Sequence, residues 1–158
     1  MNRFASAAAV LVALAGFAVP VAAEEIVLIS THTRDFIGAD AANSNILKGV
    51  PLETQALVVD RITLDGDEVA FRTESGNFVR AGVGQQTYLA IGSDHLRGWQ
   101  KFEIVRVTAA KFAIKSVQNG LYVSLGPDGR LAATSAEIGT RETFSSRPAP
   151  ERQAEVVP

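Results

Sequence analysis

The chain has 158 residues, 47% of them hydrophobic and 20% charged, with 17 acidic and 15 basic side chains and no cysteine. That length holds one domain, and a net charge of −2 spread along the chain leaves no basic stripe for nucleic acid. The lack of cysteine excludes a disulfide framework, thiol nucleophiles and thiolate metal sites, so stability has to come from a packed core.

The chain opens as a secretory leader. Arg3 supplies a charged start, Phe4 to Val19 an apolar run, and Val21-Ala22-Ala23 the small residues of a cleavage site. The run is short for a spanning helix, which needs about 20 apolar residues. Residues 1–23 are expected to be removed, which leaves 135 residues from Glu24 in the periplasm or outside the cell.

From Glu25 the pattern is that of short strands. Ile26, Leu28 and Ser30 alternate with outward residues, the period of a half-buried strand. Phe36 marks a second strand, Ile46 a third and Leu57 a fourth. Asp65-Gly66 then reads as a type I′ hairpin turn. The pattern starts again with Val69, Phe71 and Thr73, turns at Ser75-Gly76-Asn77, and continues through Phe78, Leu89 and Phe102. A third round runs through Phe112, Ile114 and Ser116, turns at Asn119-Gly120, and continues with Tyr122, Pro127-Asp128-Gly129, Leu131 and Phe144. Residues 148–158 have no periodicity and several prolines, and are expected to form a flexible tail.

Leu28, Phe71 and Ile114 stand 43 residues apart, and Ile46, Leu89 and Leu131 stand 43 and 42 apart. Three units of about forty residues, each with four strands, make twelve strands. One such unit cannot bury its apolar side, so three must close on one another, which also removes exposed sheet edges. The expected fold is all-β: a β-trefoil over residues 24–147, with a six-stranded barrel capped by three hairpins.

The stretch Phe71-Arg72-Thr73-Glu74-Ser75-Gly76-Asn77-Phe78-Val79, followed by Gly98-Trp99-Gln100-Lys101-Phe102, resembles the repeat of fascin-like β-trefoil domains. The resemblance covers nearly all of residues 25–146. It implies the trefoil fold and an exported, single-domain member of that superfamily. The repeat endings Arg141-Glu142-Thr143-Phe144 and Thr54-Gln55-Ala56-Leu57 depart from the pattern.

No reactive constellation stands out. His32 and His95 read as solvated turn residues, and Asp65-Gly66-Asp67-Glu68 as a turn rather than a calcium loop. Trp99, at a repeat position, is expected to cover the bottom of the barrel, and Phe36, Phe78 and Tyr122 to lie in the core. Tyr88 is different, because strand alternation turns it outward beside inward Leu89. Gln85 and Gln86 precede it in a connection that reads as longer than its counterparts, and Asp94 follows on the next turn. An exposed aromatic flanked by amides suits a sugar or peptide, so Gln85, Gln86, Tyr88 and Asp94 are the expected ligand-binding residues. Gly82 and Gly84 would let that loop bend towards a ligand.

The expected function is that of a non-catalytic exported binding module with a glycan as ligand. The alternative is a scaffolding protein that contacts another envelope protein. No catalytic residue, metal or cofactor is expected, no nucleic-acid partner, and a monomeric state.

Overall fold

A computed structural model describes residues 23–151. Residues 1–22 of the expected leader and 152–158 of the expected tail lie outside the described residues. The described residues form twelve strands in three units. Unit one holds β1 (Ala23–Ser30), β2 (Phe36–Asp40), β3 (Ile46–Val50) and β4 (Val59–Thr63). Unit two holds β5 (Glu68–Thr73), β6 (Val79–Val83), β7 (Tyr88–Ile91) and β8 (Phe102–Arg106). Unit three holds β9 (Phe112–Ser116), β10 (Tyr122–Leu125), β11 (Leu131–Ser135) and β12 (Phe144–Pro148). A 3-10 turn precedes the fourth strand of each unit, at Glu53–Gln55, Gly98–Gln100 and Thr140–Glu142.

The first and fourth strands close a six-membered ring. Antiparallel ladders join β1 to β4, β4 to β5, β5 to β8, β8 to β9, β9 to β12 and β12 back to β1. The second and third strands form the hairpins β2–β3, β6–β7 and β10–β11. These meet one another through the rungs Ile46↔Ala90, Ala132↔Tyr88 and Lys48↔Arg130. The fold is a β-trefoil.

Burial follows the inner face of the ring. Leu28, Phe71 and Ile114 point inward from the first strands, and Phe102 and Phe144 are fully buried. The Phe71 and Phe102 rings lie 5.7 Å apart and tilted. Only a gap of about 20 Å³ remains between the three layers of the core, about the room of one water in an apolar setting.

Pairing corrects the repeat register at two places. Phe102 pairs with Val69 and Ser116, and Phe144 with Phe112 and Ser30. In unit one the residue that pairs with both Ile26 and Thr73 is Val59, not Leu57. Unit one therefore carries two extra residues, Leu57 and Val58, between its 3-10 turn and its fourth strand. The turns themselves match, because the third residue of each sends a side-chain oxygen back to a backbone N–H: Gln55 to Leu52, Gln100 to Arg97 and Glu142 to Gly139. In the third strands Leu47, not Ile46, aligns with Leu89 and Leu131, as the three inter-hairpin rungs require. The residues two positions before them, Asn45, Thr87 and Gly129, all have positive φ at 58°, 52° and 80°. Their carbonyls accept bonds from Ile91, Ala133 and Gly49. A shared backbone shape thus hides behind three different side chains.

Phe36, Phe78 and Tyr122 do occupy one repeat position, yet they are half-buried on the outside of the molecule. The residues after them, Ile37, Val79 and Val123, are the buried ones. Strand alternation sends the aromatic outward once its neighbour is fixed inward. The turns at Asp65-Gly66 and Asn119-Gly120 are not type I′, because in each only the glycine has positive φ. The last strand also runs beyond the expected domain end. Arg147 and Pro148 pair with Val27 and Ile26, and the Ala149 N–H donates to the Glu25 carbonyl.

Candidate functional site

The outer surface of the ring carries one row of rungs per seam between units. At the seam of units one and two, Glu25 stands opposite Asp60, Asp60 opposite Arg72, and Arg72 opposite Phe78. At the seam of units two and three the row is Glu68, Glu103, Lys115 and Tyr122. At the seam of units three and one it includes Ser145, Ile29 and Phe36. Like charges directly opposite across a ladder are unfavourable, so a carboxylate pair beside a cation is a costly arrangement that appears twice.

The first of these rows lies in a groove. It encloses about 480 Å³ and is lined by Glu25, Asp60, Arg72, Glu74, Phe78 and Asp94, with Thr73 and Gly76 at its base. That size lies in the range of small-ligand sites. Arg72 is tied to Asp60 at 3.4 Å. A smaller depression of about 410 Å³ adjoins it, shares Glu25 and Glu74, and is bordered by Val58 and the chain segment Ala149–Glu151. The two-residue insertion of unit one therefore stands beside the groove. Sequence comparison of the units could have found it, because Gln55 to Val59 spans two residues more than Gln100 to Phe102.

The four expected ligand-binding residues are not brought together. Asp94 lines the groove. Its carboxylate meets the His95 ring nitrogen at 2.8 Å, with both side chains well exposed. Tyr88 faces unit three instead. Its hydroxyl donates to Asp128 at 3.2 Å, and the Arg130 guanidinium stands 5.5 Å above its ring. Gln85 and Gln86 are exposed at the tip of the β6–β7 hairpin. That connection has four residues, against five in units one and three, so it is not the longer loop that the spacing suggested.

Gly82 and Gly84 do take positive φ, at 83° and 71°. At Gly82 the space serves Trp99: a Cβ there would lie 2.7 Å from the indole. Trp99 is thus half-buried against the backbone of the β6 hairpin and acts in packing. His32 bonds through Nδ1 to the Thr140 hydroxyl at 3.1 Å and lies at the surface. Among the described residues no three His, Asp or Glu side chains are grouped to hold a metal ion.

No protein-family model matches the sequence, and no curated protein matches it. Solved structures match the fold. A designed three-fold symmetric protein, ThreeFoil, superposes with a TM-score of 0.67 at 9% identity, over 77% of this chain and 96% of that one. SeviL bound to asialo-GM1 saccharide gives 0.63 at 13% identity, over 82% and 100%. The Polyporus squamosus lectin, bound to a sialylated trisaccharide epitope, gives 0.61 at 16% identity, over 80% and 50%. At such identities the similarity establishes the β-trefoil fold alone.

Proposed function

We propose that the protein is a non-catalytic, exported carbohydrate-binding module of the fascin-like trefoil type, and that it binds its glycan in the groove at the seam of units one and two. The observation that carries this reading is the convergence of a half-exposed aromatic ring, a guanidinium and several carboxylates on one outward groove of about 480 Å³. Sugars use that set: an aromatic face for the apolar side of the ring, and donors and acceptors for the hydroxyls. Two of the structural neighbours hold saccharides, which supports a glycan as the ligand class. Export rests on the leader pattern of residues 1–23. The fascin-like assignment rests on the unit-two repeat, Phe71 to Val79 with Gly98 to Phe102.

A glycan array probed with the mature chain tests this. At least one glycan class is expected to bind, and Phe78→Ala is expected to weaken it about tenfold, the loss of one stacking contact. No binding across the array, together with specific capture of an envelope protein, would instead favour the scaffolding role.

A further inference from the structure

We infer that the groove takes a positively charged amine over the Phe78 ring, so that the glycan of the reading above is an oligosaccharide of amino sugars with free amines. The inference rests on that glycan reading and goes beyond it in the charge of the ligand.

The argument comes from the three equivalent aromatic positions. In unit three, the Lys115 ammonium stands 5.9 Å from the centre of the Tyr122 ring. In unit one, where Ile29 replaces the row's cation, Arg147 reaches over Phe36 from the neighbouring strand at 4.9 Å. Arg147 is held there by an ion pair with Glu53 at 3.2 Å. In unit two the row's cation, Arg72, is drawn to Asp60 instead. Among the described residues, no cation stands over Phe78 in the manner of the other two rings. The same ring position is thus covered by a cation from within the chain twice, and lies open to a groove once.

The surroundings suit a cation from outside. Glu25, Asp60, Glu74 and Asp94 bring four carboxylates to the lining, with Arg72 tied to Asp60 and His95 to Asp94. The electron-rich face of an aromatic ring attracts a cation, and adjacent carboxylates add to it most where water is partly excluded. A neutral acetamido group would gain neither term. A basic peptide shares the charge but not the flat apolar face of a sugar ring. A pyranose ring presents an apolar face that a half-exposed phenyl side chain can stack against.

Calorimetric titration of the mature chain tests this with two probes, glucosamine tetramer and N-acetylglucosamine tetramer. The buffer is mildly acidic, so that amines are charged and carboxylates ionised. Glucosamine tetramer is expected to bind about tenfold more tightly or better, with affinity falling as salt rises. Phe78→Leu and Asp94→Asn should each weaken it several-fold. Asp94→Asn lies on an exposed turn and should leave the melting temperature unchanged, which keeps the test independent of folding. Equal affinity for the acetylated tetramer overturns the inference while the glycan reading stands. Binding of neither probe overturns the inference; the glycan reading falls with it only if the array is also blank. Tetralysine binding as tightly as glucosamine tetramer overturns the sugar part of the inference.

Discussion

The seam of units one and two and the seam of units two and three are built on the same rungs, and they end differently. Each places two carboxylates, a cation and an aromatic in one lateral row. In the second, the lysine stays over its own unit's tyrosine. In the first, a shorter carboxylate captures the arginine, and the phenylalanine is left facing a groove. Beside it stand two residues that the other units lack, Leu57 and Val58. The inside of the barrel shows no such divergence in residue class: Leu28, Phe71 and Ile114 are apolar at one inner position, and Ser30, Thr73 and Ser116 carry hydroxyls at another. Pseudo-symmetry therefore marks what the fold demands, and its breakdown on the outer face marks where chemistry is free to differ.

The largest expected effect separates inside from outside within one unit. Phe102→Ala should cost about 3–5 kcal/mol, since the side chain is fully buried and its loss leaves a large cavity. Phe78→Ala, half-exposed on the outer row, should cost about 1 kcal/mol. Urea unfolding of both variants checks this, and similar losses would erase the distinction between ring interior and seam.

Next in size is a pair of glycines in the β6–β7 hairpin. Gly82→Ala meets both an unfavourable φ and the indole of Trp99, and should destabilise by about 2–3 kcal/mol. Gly84→Ala meets only the unfavourable φ, with no atom within 4 Å of the added carbon, and should cost about 1 kcal/mol. Because Trp99 is the only tryptophan, its emission should shift in the first variant and stay fixed in the second.

A smaller effect compares three hydroxyls at one repeat position. Ser30 Oγ accepts from the His32 and Thr33 N–H groups, and Thr73 Oγ1 donates to the Asn77 carbonyl. Among the described residues, Ser116 Oγ is buried without a partner. Ser30→Ala should therefore cost about 1 kcal/mol, whereas Ser116→Ala should be neutral or slightly stabilising. Equal losses would mean that Ser116 has a partner that exchanges with its buried position.

The smallest effect lies on the hairpin of unit one. The Asn43 amide, joined by Lys48, holds the half-buried Asp40 carboxyl below its ordinary value of 3.8. A lowered folded value stabilises above the unfolded pKa and is lost as pH falls through the folded one. Asn43→Ala should move the Asp40 titration, followed by NMR, back towards 3.8. An unchanged midpoint would assign the shift to Lys48 and the Ala42 N–H instead.

The strand count, the closure and the inner residues of the first strands were legible because barrel geometry constrains them strictly. Leu28, Phe71 and Ile114 keep an equal spacing, and no insertion can enter a first strand without turning its side chains to the wrong face. The fourth strand of unit one was misread because Leu57 and Val59 are both apolar and have the same parity, so alternation alone cannot choose between them. Ile46 and Leu47 pose a different problem: they are adjacent, both apolar and both buried, so no alternation marks the inward one. The groove stayed hidden for a related reason. Its lining comes from β1, the start of β4, the end of β5 and the turn after β7, which only the cross-strand register brings together. Asp94, picked out from its position on that turn, is one of the lining residues. Tyr88 was correctly turned outward, but nothing local to it announces Asp128 and Arg130, forty residues further on.

Backbone NMR shift mapping of the mature chain with glucosamine tetramer tests the central claim most directly. The account predicts shifts concentrated at Gly76, Asn77, Phe78 and Asp94, with Asp60 and Arg72 following, and little change around Tyr122. Shifts centred instead on Gln85 to Tyr88 with Asp128 and Arg130, or spread equally over Phe36, Phe78 and Tyr122, would contradict it.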